Sequence, residues 1–85
     1  MPSRIAELER SAPDWSNVDP RSPDVKAWLD RAYRTLWEVD PIEAGVLKVH
    51  GQYLAEDSRR HSAEILEALR RAARKLQQRS APELF

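Results

Sequence analysis

The sequence predicts an all-α fold. It should form a small antiparallel bundle of three main helices, at about 23–39, 41–56 and 58–78, behind a short N-terminal helix or docked arm. Three observations carry this. Apolar residues recur at helical spacing wherever they are regular, and no stretch alternates apolar with polar over the length of a strand. Glycine occurs twice in 85 residues, so the chain has few points of free rotation. The prolines that interrupt the pattern, Pro13, Pro20, Pro23 and Pro41, stand where helices stop or start. Length allows one domain, read as an arm and linker over 1–22, a helical core over 23–79 and a tail over 80–85.

Residues 3–11 have two apolar anchors, Ile5 and Leu8, on one side. A helix that short holds together only if it docks. Residues 11–22 are rich in Pro, Asp, Ser and Asn and read as a linker. Trp15 lies within it, and a large ring left in water is costly, so Trp15 is expected to pack across the bundle or into a partner.

Ser22-Pro23-Asp24 is a helix start: a hydroxyl to cap, a proline for the first turn and an acid for the positive end of the dipole. Val25, Trp28, Leu29, Ala32, Tyr33, Leu36 and Trp37 then form an unbroken stripe. Asp40-Pro41 closes this helix and opens the next, with Asp40 as cap and Glu43 placed to reach back in a capping box.

The second helix carries Ile42, Val46, Val49 and Tyr53 along one row and Leu47, His50 and Leu54 along the next. An arc that broad predicts the most buried helix of the three. Gly45 and Gly51 each cost about 1 kcal/mol relative to Ala in a helix interior. Close helix approach would explain them, as would a break near Gly51. Asp57-Ser58 starts the third helix, whose stripe is Ile65, Leu66, Leu69, Ala72, Ala73 and Leu76. It is longer than its predecessors, so its last turns are expected to overhang the bundle.

Composition narrows the function. The absence of cysteine excludes a disulfide scaffold, a thiolate metal site and a cysteine nucleophile. No apolar run approaches a membrane span. The first ten residues are charged throughout and lack the apolar stretch of a secretory leader, so we read a cytoplasmic chain of bacterial character. Fourteen basic and fourteen acidic side chains cancel, which excludes a uniformly basic binder.

The cancellation hides an asymmetry. Residues 1–57 carry 7 basic and 11 acidic side chains, whereas residues 58–79 carry 7 basic and 2 acidic. Arg59, Arg60, Arg70, Arg71, Arg74 and Lys75 are therefore a candidate face for an acidic partner or phosphate, though cations near a helix C-terminus also serve the dipole.

Chemistry is thin. His50 and His61, with Glu64 a turn beyond, fall short of the three or four ligands a metal wants, so no metal or cofactor is expected. No phosphate loop or nucleophile turn is present.

Two short segments resemble known families. Ala32-Tyr33-Arg34-Thr35-Leu36-Trp37-Glu38-Val39-Asp40-Pro41 followed by Gly51-Gln52-Tyr53 resembles the junction of two tetratricopeptide repeats, with the Trp/Leu-Gly-Tyr spacing off by a residue and the following helix too long. That resemblance implies helix-hairpin packing of a peptide-binding sort. Pro82-Glu83-Leu84-Phe85 looks like the end of a bacterial sliding-clamp peptide, with Ala81 where glutamine is usual. Apart from that resemblance, Phe85 is expected to fold back on apolar surface or dock in an interface.

With 11 of its hydrophobic residues alanine, the chain has a small core, and such domains often lean on a partner or a second copy. The first expectation is a non-enzymatic protein-interaction or accessory module, self-associating as a homodimer. The alternative is a nucleic-acid-associated regulator using the basic face. A third is a small helical enzyme with an arginine-lined pocket at an interface.

Overall fold

A computed structural model describes residues 4–80, with the side chains of residues 79 and 80 outside the description. Its elements are α1 (Arg4–Arg10), α2 (Pro23–Val39), α3 (Pro41–Gln52) and α4 (Ser58–Ser80). The all-α bundle expected from the sequence is what forms. Phe85 and the Pro82–Phe85 ending lie outside the described residues.

α2 begins where its caps place it. Ser22 is extended, and its Oγ accepts from the Val25 N–H at 3.3 Å with Pro23 in the first turn. The linker before it is stitched by two aspartates. Asp14 accepts from the Ser16 N–H and from the Asn17 side chain, and Asp19 accepts from the Arg21 N–H.

α2 and α3 form an antiparallel hairpin turned at Asp40. The Asp40 N–H donates to the Leu36 carbonyl at 2.6 Å and so closes α2, while its Oδ1 accepts from the Ile42 N–H at 3.1 Å and opens α3. α4 returns antiparallel along α3. Its lower end lies by the end of α3 through His50 and His61, and Lys75 reaches back to Asp40.

α2 and α4 both pack along α3 and touch one another much less. α1 and the linker fill the gap between them. Ile5 and Leu8 are buried, and the Trp28 indole N–H donates to the Leu8 carbonyl at 3.1 Å. Trp15 sets its ring edge-on to Trp28, 5.7 Å away at 76°. Trp15 thus packs across the bundle, as its place in the linker suggested. The buried core runs through Val25, Trp28, Leu36, Leu47, Leu54, Ile65 and Leu69.

Four expectations need correction. First, α3 ends at Gln52 and a turn follows to residue 56, so it is shorter than 41–56. Second, Glu43 does not complete a capping box. Its carboxylate takes two hydrogen bonds from Arg71 of α4, at 2.8 and 3.0 Å, because a buried acid gains more from a guanidinium than from one backbone N–H.

Third, the broad apolar arc of α3 is buried on one side only. Ala44 and Leu47 are buried, but Ile42, Val49 and Tyr53 are exposed, and so is Trp37 at the end of the α2 stripe. Fourth, Gly45 makes no close approach, since a methyl group built there meets nothing within 4 Å; only Gly51 faces a neighbour, Leu29, at ordinary contact distance. Past Lys75 and the half-buried Leu76, Gln77 and Gln78 of α4 are exposed.

This packing makes two outcomes testable. Gly45→Ala should stabilise the fold by about 0.5–1 kcal/mol, because it removes backbone entropy and meets open space. A urea titration at low protein concentration reads this as a raised midpoint with unchanged slope. Asp40 is held below its ordinary 3.8, first by the hydrogen bond from Lys75, against the opposing effect of burial, with help from the Ile42 N–H and the Lys75 charge.

A lowered carboxylate contributes stability that is fully present above 3.8 and is lost as pH falls through the folded value. Asp40→Asn keeps an acceptor for the cap and should cost about 1 kcal/mol at neutral pH. Asp40→Ala, which also removes the cap, should cost about 2 kcal/mol. The deficit of Asp40→Asn should hold from about pH 7 down to about pH 5 and shrink below pH 3.8, read by urea titrations across that range.

Candidate interaction surface

The outer side of α3 is apolar. Ile42 is 73% exposed, Val49 52%, Tyr53 48%, and Trp37 on α2 56%. On α3, Ile42, Gly45, Val49 and Gln52 fall on one line by helical spacing, with half-buried Val46 beside it and Tyr53 just past the helix end. No charge interrupts that line. Lys48 stands at its edge toward α2, where its Nζ lies 5.7 Å from the centre of the Tyr33 ring. Tyr33 in turn packs tilted against Trp37, with ring centres 6.2 Å apart. An open groove of about 400 Å³ between α2 and α3, lined by Leu29, Tyr33, Lys48 and Gly51, adjoins the line at Gln52.

These exposures amount to about 500 Å² of apolar surface, within the roughly 300–600 Å² of the largest patch on an ordinary monomer, a class that is often functional. The sequence reading assigned Ile42, Val46, Val49 and Tyr53 to the core and so missed this face. A signal was present: apolar residues on nearly every side of a helix with two neighbours leave one side uncovered.

The basic residues of α4 differ in their partners. Arg71 is committed to Glu43, whose contact raises the guanidinium further above its usual range, and Lys75 is committed to Asp40. Arg70 and Arg74 lie near Glu67, at 4.0 and 3.5 Å, on an exposed flank where such pairs contribute little. Arg59 and Arg60 are exposed at the start of the helix, about 15 Å along it from Arg70. Arg59 borders a hollow of about 310 Å³ with Trp15, Ser16, Ser58 and Ser62. A second hollow, between α1 and α2, is lined by Arg4, Arg31 and Arg34, of which Arg4 is held by Glu38 and Arg34 by Asp30.

His50 and His61 do meet. Their Nδ1 atoms are 2.8 Å apart, with the Tyr53 ring 6.2 Å from His61. Among the described residues no third His, Asp or Glu joins a group able to hold a metal ion. Trp15 Nε1 is buried with no hydrogen-bond partner among the described residues. No helix among the described residues is long and apolar enough to cross a membrane.

Compared with known protein families, with curated proteins and with solved structures, the chain matches none of them.

A contact between two Nδ1 atoms requires one ring to donate and the other to accept. With both rings neutral, long-range nitrogen–proton NMR spectra should therefore show one of His50 and His61 protonated at Nδ1 and the other at Nε2. Two Nε2-protonated rings would show that the pair is not formed in solution.

Proposed function

We propose that the protein is a non-enzymatic protein-interaction module that docks through the outer face of α3. One observation carries the reading: an uncharged apolar line on α3 is left uncovered by the other described residues, while Ala44 and Leu47 on its opposite side are buried in the core. Surface of that kind loses its contact with water when a partner covers it. The basic face supports the reading by default, since its two most central cations are already neutralised within the chain. Arg59, Arg60, Arg70 and Arg74 remain scattered over the length of α4, which carries no Phe, Tyr or Trp of its own to stack a base.

Site-specific photo-crosslinking in cells that naturally make the chain tests this. A benzophenone side chain at Val49 should yield a discrete adduct, and the same group at Arg60 should not. Ile42→Glu should abolish the Val49 adduct while circular dichroism stays unchanged. If Val49 gives no adduct, or gives the same smear as Arg60, α3 is not the docking face.

A further inference from the structure

We infer that the occupant of the α3 face is a second copy of this chain, bound as an antiparallel α3–α3 pair in which each Val49 seats on the partner's Gly45. The inference rests on the reading of α3 as a docking face and names what covers it. Three observations lead there: the absence of charge, the shape of the line and its area.

The first is charge. The line Ile42, Gly45, Val49, Gln52, with Tyr53 just past the helix end, carries none, and the whole chain sums to zero. Two copies can therefore bring this face together without like-charge repulsion across it. A strongly charged partner would find nothing there to pair with.

The second is shape. Gly45 is a notch on the exposed side, with nothing within 4 Å of where a side chain would begin. Val49 is a knob one turn further along the same line, about 6 Å away. A notch and a knob one turn apart are self-complementary under a two-fold axis at residue 47. Val49 then lies on the partner's Gly45, and Gly45 receives the partner's Val49. The same axis sets Ile42 opposite the partner's Gln52 and lays Tyr53 over the partner's Pro41 corner. A two-fold pair of this sort closes on itself and exposes no further face of its kind. Glycine at the crossing brings two backbones close, as small residues do between packed helices.

The third is area. Ile42, Val49 and Tyr53, with Gln52, Val46 and the bare backbone at Gly45, make a face smaller than the roughly 800 Å² per partner of a standard interface. An interface of that small class goes with a reversible dimer.

Sedimentation measures the mass from about 5 μM to about 500 μM, the range in which a weak, reversible dimer forms and falls apart. The apparent mass should rise from that of one chain towards that of two and stop there. Val49→Asp, exposed in the monomer, should weaken association at least tenfold with helicity unchanged. Gly45→Leu should do the same by filling the notch.

The chain has no cysteine, so orientation can be read directly. An equimolar mixture of Ile42→Cys and Gln52→Cys chains should oxidise chiefly to the mixed dimer, because the axis brings those positions together and keeps each apart from its own copy. A chain that stays monomeric at the highest concentration overturns the inference. If its Val49 crosslinks a different protein, the docking face stands with another occupant; if it crosslinks nothing, both readings fall. A dimer indifferent to Val49→Asp and Gly45→Leu also overturns it. So does a mixture that oxidises mainly to like pairs, each Ile42→Cys chain bridged to its own kind and each Gln52→Cys chain to its own.

Discussion

Asp40 is where three helices are joined. Its N–H ends α2, its Oδ1 starts α3 and its Oδ2 accepts from Lys75 of α4 at 2.6 Å. Pro41 beside it cannot continue α2, so the chain must turn there. The side chain is 4% exposed, and a carboxylate so placed is tolerated only because each oxygen has a donor. One turn further along, Glu43 takes both donors of the Arg71 fork. Arg71 and Lys75 are themselves one turn apart on α4. Two acids at the start of α3 thus meet two cations near the end of α4. The drying of such pairs offsets much of their attraction, so their value lies less in net stability than in fixing geometry.

The other end of the bundle is held differently. α1 has seven residues and two buried side chains, too little to be helical alone. What orders it is the gap between α2 and α4. Trp28 fills that gap from α2 and gives its indole N–H to the Leu8 carbonyl, one of the carbonyls that the end of α1 leaves without a helical partner. Trp15 closes over Trp28 from the linker. Its own N–H goes unsatisfied among the described residues, a cost set against the burial of the ring.

Much of this was legible in the residues. Ser22-Pro23-Asp24 and Asp40-Pro41 place the helix starts because caps act locally. Trp15 declared its packing by being too apolar for the linker around it. What periodicity could not give was the rotation of α3. A helix with one apolar stripe announces its inner side, but α3 has apolar residues on both sides, Leu47 inward and Ile42, Val49 and Tyr53 outward. Nor could spacing show that Glu43 would choose Arg71, twenty-eight residues on, over the backbone three residues behind it. That choice depends on where α4 lies, which is tertiary information.

The charge asymmetry and the exposed apolar face are one fact. Adjacent residues on a helix point about 100° apart. Turning Glu43 in to meet Arg71 therefore turns Ile42 out, and Val49 and Tyr53 follow it along the same side. Among the cations gathered in residues 58–79, Arg71 and Lys75 are held by Glu43 and Asp40. These two select which side of α3 faces inward, and so which side is left for another molecule. Asp40 and Glu43 on the inner side of α3 are neutralised by Lys75 and Arg71 of α4, while the outer line of α3 carries no charge at all.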